Sequence, residues 1–211
     1  MTENQWIEFA ETALAASALT TRFAEGHAVC SGTPALRRTT GFAAWRHDGQ
    51  LRKGEGATPY IHHPIEVAAI LSEVGEIVDL DVLQAALLHD TVEDTCTTAE
   101  ELDSLFGTRV RGFVLEVTDV KNISQSERKA LQIEHAPHLS MEAQSIKLAD
   151  KTCNVRDVAF SKPIDWPVDR QLEYFNWAER VVAGLRGCNA PLEAWFDKQI
   201  KESRREVGSD T

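Results

Sequence analysis

Seven residues, Val82-Leu83-Gln84-Ala85-Ala86-Leu87-Leu88, make a strongly apolar helical run that leads directly into His89-Asp90-Thr91-Val92-Glu93-Asp94. A helix that is apolar on nearly every side belongs in a core, so the polar cluster at its end grows out of a buried element. If the helix continues, His89 and Asp90 point about a third of a turn apart, with Glu93 one turn beyond His89 and Asp94 one turn beyond Asp90. Three carboxylates on one edge repel one another unless a cation or protons compensate. The plain alternative is a solvated acidic helix end, and Leu87-Leu88 just before the cluster argue against it.

A second segment, Ile146 to Arg156, puts Asp150 and Asn154 on one helical face and Lys147 three residues before Asp150. Alone, Asp150 is better explained as the partner of Lys147 or Lys151, and His63 beside Pro64 as a capping or otherwise satisfied histidine. Together, His63, His89, Asp90 and Asp150 supply two imidazoles and two carboxylates, a mixed nitrogen and oxygen set with room for waters on a six-coordinate ion. Manganese is the first choice. The donors specify a divalent ion more firmly than its identity, because affinity order alone favours zinc or copper.

The rest of the chain reads as helices separated by Gly, Pro and Ser/Thr breaks, with strand alternation almost absent and no internal repeat. Trp6, Phe9, Ala10, Ala13 and Leu14 fall at helical spacing, and that helix should end before Ser31-Gly32-Thr33-Pro34. A loop over residues 47–59 carries Gly49, Gly54 and Gly56 with Arg52 and Lys53, a composition suited to ligand approach. Pro64 suits the first turn of a helix through Val67 and Leu71, and Asp81 is expected to cap the apolar run. Thr97-Thr98 before Glu100-Glu101, and Ser124 before Glu127, are capping-box spacings. Amphipathic helices are expected up to Gly187 and again around Leu192, Trp195, Phe196 and Ile200.

With 211 residues, 43% of them hydrophobic, the chain is long enough for one substantial core. No stretch is apolar enough to span a membrane, and Glu3, Glu8 and Glu11 precede the apolar Ala13–Leu19 stretch where a secretory leader would be cationic. A cytoplasmic location follows as the expectation. Cys30, Cys96, Cys153 and Cys188 are scattered without a CxxC pair and read as free thiols in a reducing compartment. A net charge of −11 without a basic stripe opposes nucleic acid as a partner. A small anionic ligand stays compatible, because a cleft concentrates a few basic groups and a cation against the global field.

His63-Pro64, Leu87-Leu88-His89-Asp90-Thr91-Val92-Glu93-Asp94-Thr95, and Lys147-Leu148-Ala149-Asp150-Lys151 with Asn154 and Arg156 resemble the hydrolase domain of the Rel/Spo alarmone enzymes, in particular the stand-alone small alarmone hydrolases. Arg52-Lys53, Thr58-Pro59-Tyr60, Glu127-Arg128-Lys129 and Glu173-Tyr174-Phe175 with Trp177 extend the match, which covers roughly residues 42–192. The resemblance implies an all-α fold, a single HD-domain helical bundle with a metal site in a central pocket. It implies one manganese ion on His63, His89, Asp90 and Asp150, with Glu93 and Asp94 positioning or deprotonating the attacking water. It further implies that Arg52, Lys53, Asn154 and Arg156 hold the nucleotide. Lys147 is added as a substrate contact, as is Tyr60, whose plainer reading is packing at the pocket mouth.

The reaction so implied is hydrolysis of (p)ppGpp to GDP or GTP and pyrophosphate, by attack of water at the phosphorus joined to the ribose 3′ oxygen. Two alternatives are weighed: an NADPH 2′-phosphatase or other HD nucleotide phosphohydrolase on the same metal site, and a non-catalytic alarmone sensor, which predicts loss of a ligand or of the Glu93-Asp94 pair. Residues 1–40 are expected to form a helical extension of unassigned role, residues 41–200 the hydrolase domain and residues 201–211 a tail. Synthesis of the alarmone is not expected, and a homo-oligomer is compatible with the sequence. His47 and His62 are expected to be solvent-facing or structural, and Phe175 and Trp177 to belong to the core.

Overall fold

The computed structural model describes residues 3–18, 33–54 and 58–209, apart from some side chains of the first helix, Ala13 and Leu14 among them. Cys30, Gly56 and the Ser31-Gly32 half of the expected break lie outside the described residues. Described are α1 (Glu3–Ala18), α2 (Pro34–Arg46), α3 (His62–Glu73), α4 (Leu80–Leu88), α5 (Thr91–Asp94), α6 (Ala99–Phe106), α7 (Thr108–Val117), α8 (Gln125–His135), α9 (Met141–Phe160), α10 (Val168–Ala183) and α11 (Ala190–Ser209), with a 3₁₀ turn at Ala136–His138. The only β pairing among these residues is two isolated bridges, Leu51 with Pro59 and Gly54 with Pro163. The chain is all-α.

α9 is the central element, touching α3, α4, α7, α10 and α11. Phe42, Ile65, Ile70, Leu87, Leu88, Ile146, Leu148, Phe175 and Phe196 are fully buried around it, each contributing about 1.5–3 kcal/mol on transfer from water. Phe175 is core as expected; Trp177 is only partly buried.

α2 was not legible in the sequence. Thr39-Thr40-Gly41 is weak helix-forming material, but both threonine hydroxyls donate to carbonyls four residues back, Ala35 and Leu36, at 2.9 Å. Gly41 is required there, since a Cβ would stand 1.9 Å from the Trp6 carbonyl oxygen of α1. The Trp6 ring meets Phe42 edge-on at 5.5 Å. α2 runs through residue 40, where an extension was expected to give way to the domain, and α11 runs on through residues 201–209, with Val207 buried, where a tail was expected.

The caps largely follow the sequence. Thr98 accepts from the Glu101 amide, and Ser124 with Glu127 forms a complete capping box. At α4 the cap is Asp79, whose side chain accepts from the Asp81 amide, rather than Asp81 itself: Asp79 has the extended backbone of an N-cap, and Asp81 is already helical. The apolar helix also does not continue unbroken. It ends at Leu88, turns at His89-Asp90, and resumes as the single turn α5, where the Asp94 amide donates to the Asp90 carbonyl at 2.8 Å.

Candidate metal centre

Pro64 stands in the first turn of α3, where its missing N–H leaves no intrahelical bond unmade, and so sets His63 at the inner end of that helix. α4 carries His89 to the same point, and α9 brings Asp150 from the other side. His63 Nε2 lies 3.2 Å from Asp150 Oδ1 and 3.6 Å from Asp90 Oδ2. His89 Nε2 lies 3.0 Å from Asp90 Oδ2 and 3.8 Å from Asp150 Oδ1. The ligand atoms of His63, His89 and Asp90 all fall within 4.8 Å of one another.

These residues fit a metal ion on two grounds. His89 Nδ1 lies 2.8 Å from the Ala86 carbonyl oxygen and must be the donor there, which leaves Nε2 as the nitrogen turned to the pocket. That Nε2 is buried and, although Asp90 Oδ2 lies 3.0 Å away, makes no well-directed hydrogen bond among the described residues, an arrangement that costs free energy unless a proton or a cation is shared there. The charges agree. Burial opposes protonation of His89, yet Asp90 and Asp150 outweigh it and push the imidazole up to about 9. Burial first, then neighbouring carboxylates, raises the Glu93 and Asp94 carboxyls, Asp119 being the chief neighbour of Glu93 and Asp90 that of Asp94. Carboxylates outnumber ammonium groups in this pocket, with Asp90, Glu93, Asp94, Asp119 and Asp150 facing only Lys147 and Lys151.

The centre occupies a cavity of about 160 Å³ lined by Tyr60, His63, His89, Asp90, Glu93, Asp94, Asp119, Gln132, Lys147, Asp150, Lys151 and Asn154 among others. Glu93 is held by the Asp119 amide at 3.2 Å and by Arg128 Nη1 at 3.3 Å, and Asp94 is exposed at the mouth. The Tyr60 hydroxyl donates to Asp90 Oδ2 at 2.6 Å, so Tyr60 positions Asp90 as well as packing at the entrance. Lys147 Nζ donates to the Val117 carbonyl at 3.0 Å and lies 3.5 Å from Asp119 Oδ1.

Tyr60, Asp94 and Asn154 also line a second, larger cavity of about 450 Å³, with Arg52, Lys53, Asp157, Trp166 and Tyr174. Arg52 donates to Asp157 Oδ2 at 2.5 and 3.0 Å and to Asn154 Oδ1 at 2.8 Å, with its guanidinium 5.5 Å from the Tyr60 ring centre. Asn154 in turn donates to Asp150 Oδ1 at 2.5 Å, a continuous link from cleft to metal centre.

Of the sequence-selected residues, Arg156 alone reaches neither cavity. It is two positions beyond Asn154, roughly 200° around the helix, and its Nη1 donates to Glu66 Oε1 at 2.6 Å behind the site. His47 is buried and structural, its Nδ1 2.8 Å from Gln50 Oε1 and its ring 4.8 Å from Tyr60. His62 is buried too. Missed by sequence were Lys151, read only as a pairing partner, and Asp119 with Gln132, which sit outside any recognisable spacing. Asp157 was missed as well; its place one turn past Cys153 on the face of Asn154 is the helical periodicity that could have found it.

A family model described as an HD domain matches residues 39–172. The chain is 54% identical over 164 residues to the guanosine-3′,5′-bis(diphosphate) 3′-pyrophosphohydrolase MESH1 of Danio rerio, a match covering 78% of this chain and 91% of that protein. It is 52% identical over 167 residues to MESH1 of Homo sapiens, covering 79% and 93%. A solved structure, described as a metazoan orthologue of SpoT that hydrolyses ppGpp and plays a role in starvation responses, superposes with a TM-score of 0.78 at 45% identity, covering 81% of this chain and 96% of that one. Among the described residues, no helix is long and apolar enough to cross a membrane.

Proposed function

The chain belongs to the HD-domain family, and from that premise we propose that it is a metal-dependent hydrolase removing pyrophosphate from the 3′ position of guanosine 3′,5′-bis(diphosphate) and its 5′-triphosphate form. The observation that carries the reading is the junction of a small pocket, bearing His63, His89, Asp90 and Asp150, with a nucleotide-sized cleft through the shared residues Tyr60, Asp94 and Asn154. The names of the relatives at 54% and 52% identity supply the substrate class. The non-catalytic alternative predicts a missing ligand or a missing Glu93-Asp94 pair, and the pocket has both sets.

His63, His89, Asp90 and Asp150 would hold the ion, and manganese suits two imidazoles with two carboxylates. When bound, a divalent ion supplies Lewis acidity and makes water a competent nucleophile near neutral pH. Glu93 or Asp94 would accept the proton of the attacking water, and their raised proton affinity suits the task. The water attacks the phosphorus joined to the ribose 3′ oxygen; the P–O bond to the ribose breaks, O3′ takes a proton, and GDP and pyrophosphate result. Lys147, which lines the pocket, would counter the charge on the phosphoryl oxygens. Arg52, Lys53, Tyr60 and Asn154 hold the nucleotide in the cleft.

The test is the purified chain with Mn²⁺, offered guanosine tetraphosphate and NADPH separately, with a chelated control and ion-exchange separation of products. GDP and pyrophosphate formed only with metal is the expected result. Phosphate from NADPH alone would keep the pocket and replace the substrate. Tight binding of the tetraphosphate without turnover would favour the sensor.

A further inference from the structure

The two oxygens of Asp150 face different surroundings. Oδ1 is turned to His63 Nε2 at 3.2 Å and receives the Asn154 amide at 2.5 Å, while Oδ2 receives Lys151 Nζ at 2.8 Å. Lys151 follows Asp150 directly in α9, and helix neighbours diverge by about 100°. Its four-carbon stem therefore has to fold back to reach the carboxylate. Lys151 is 4% exposed, and an ammonium so buried needs more than one carboxylate oxygen to offset its lost hydration.

Trp177 of α10 provides the rest. Lys151 Nζ lies 5.1 Å from its ring centre, within cation–π range. The indole is itself fixed: Nε1–H donates to the Lys129 carbonyl of α8 at 3.1 Å, and the Tyr174 ring packs against it at 5.2 Å. The Lys129 ammonium lies 5.0 Å from the same ring. Three helices thus meet at one aromatic plate beside one metal ligand.

We propose that Lys151 is the positioning residue that divides the Asp150 carboxylate, and that Trp177 is the plate holding Lys151 in place. With Oδ2 committed to the ammonium, Asp150 turns one oxygen into the pocket and cannot swing to offer both, which keeps room for water at the ion. A buried positive charge this close also weakens the hold on a cation. The arrangement gives up metal affinity to keep the site open, and it rests on the metal-site reading above.

That sign separates the proposal from its rivals. A merely structural lysine would leave metal binding weaker when removed, and a pure substrate contact would leave it unchanged. The experiment measures Mn²⁺ affinity by calorimetry without nucleotide, exchangeable waters on the bound Mn²⁺ by water-proton relaxation, and kcat and KM separately. Lys151→Met is expected to bind Mn²⁺ at least about tenfold more tightly, to lose about one exchangeable water, and to lose kcat by at least about tenfold with KM little changed. Lys151→Arg and Trp177→Phe should restore wild-type behaviour, with Trp177→Leu in between. If Lys151→Met does not fold, Trp177→Leu carries the same test. Unchanged or weaker Mn²⁺ binding together with an unchanged water count overturns the proposal alone, whereas absence of Mn²⁺ binding by the wild-type chain overturns the metal-site reading with it.

Discussion

The metal pocket and the cleft beside it share Tyr60, Asp94 and Asn154 but are built differently. The pocket's donors stand on or at the ends of packed helices, and nearly every charge is held by another: Asp150 by Lys151 and Asn154, Asp90 by Tyr60, Glu93 by Arg128 and the Asp119 amide. The cleft is walled in large part by loop residues, 51–54 and Thr58 on one side and Ser161, Pro163 and Trp166 on the other, with Lys53 and Leu51 exposed at its edge. Rigid elements fix the chemistry, and loops set what is presented to it. Substitutions in the pocket should therefore act on metal binding and kcat, and those in the cleft on KM.

The largest effect is expected at Asp90. Asp90→Ala removes a ligand oxygen near both imidazoles and should abolish turnover and Mn²⁺ binding while leaving the helical circular dichroism intact; an active, metal-replete variant would dissolve the distinction between the two cavities. Next comes Glu93→Gln, which keeps shape and removes the proton acceptor. A drop in kcat of about 10²–10⁴-fold with KM little changed is expected from steady-state kinetics. A rise in KM alone would move Glu93 to the cleft's side of the comparison.

The pocket should also titrate. With its Nε2 needed for the ion, His89 has to be unprotonated for metal binding, and in the metal-free pocket it titrates at about 9. Apparent Mn²⁺ affinity should then rise with pH up to about 9, falling about tenfold for each unit below it, with about one proton released per ion bound at neutral pH. Calorimetry in buffers of different ionisation enthalpy reads that proton directly. At the cleft edge, Lys53→Ala should raise KM only about three- to tenfold with kcat unchanged, the loss of one exposed charged contact.

The pocket was far more legible in the sequence than the cleft, for a physical reason. An apolar run ending in His89-Asp90 and an Asp150-Asn154 pair on one helix face are local patterns, and chemistry that needs crowded charge cannot disguise them. The continuous helix edge read through His89–Asp94 was wrong in detail, since the chain turns at His89-Asp90, but the one-turn α5 restores nearly the same side-chain sequence. Lys151 was in view as a pairing partner of Asp150, and it does donate to Asp150 Oδ2; what local spacing could not show is that the pair is buried in the pocket against Trp177, 26 positions later. The cleft's Trp166 and Tyr174 carry no spacing that ties them to Arg52, and α2 hid behind threonines whose hydroxyls are satisfied only within the helix.

Arg156 sharpens the comparison most finely, because sequence resemblance assigned it to the nucleotide and the structure gives it to Glu66. The pair is largely buried, at 10% and 15% side-chain exposure. Removing one partner of such a pair strands the other charge and costs about 3–5 kcal/mol, whereas replacing both with apolar side chains of similar volume is often neutral. The informative variant is thus Arg156→Met combined with Glu66→Leu, since Arg156→Met alone would confound stability with binding. It should melt near the wild-type temperature and keep kcat and KM within about twofold, since neither residue lines either cavity. A KM rise matching that of Lys53→Ala, in a double variant that remains folded, would mean that the nucleotide draws Arg156 away from Glu66 on binding, and the face of α9 behind the pocket would join the cleft.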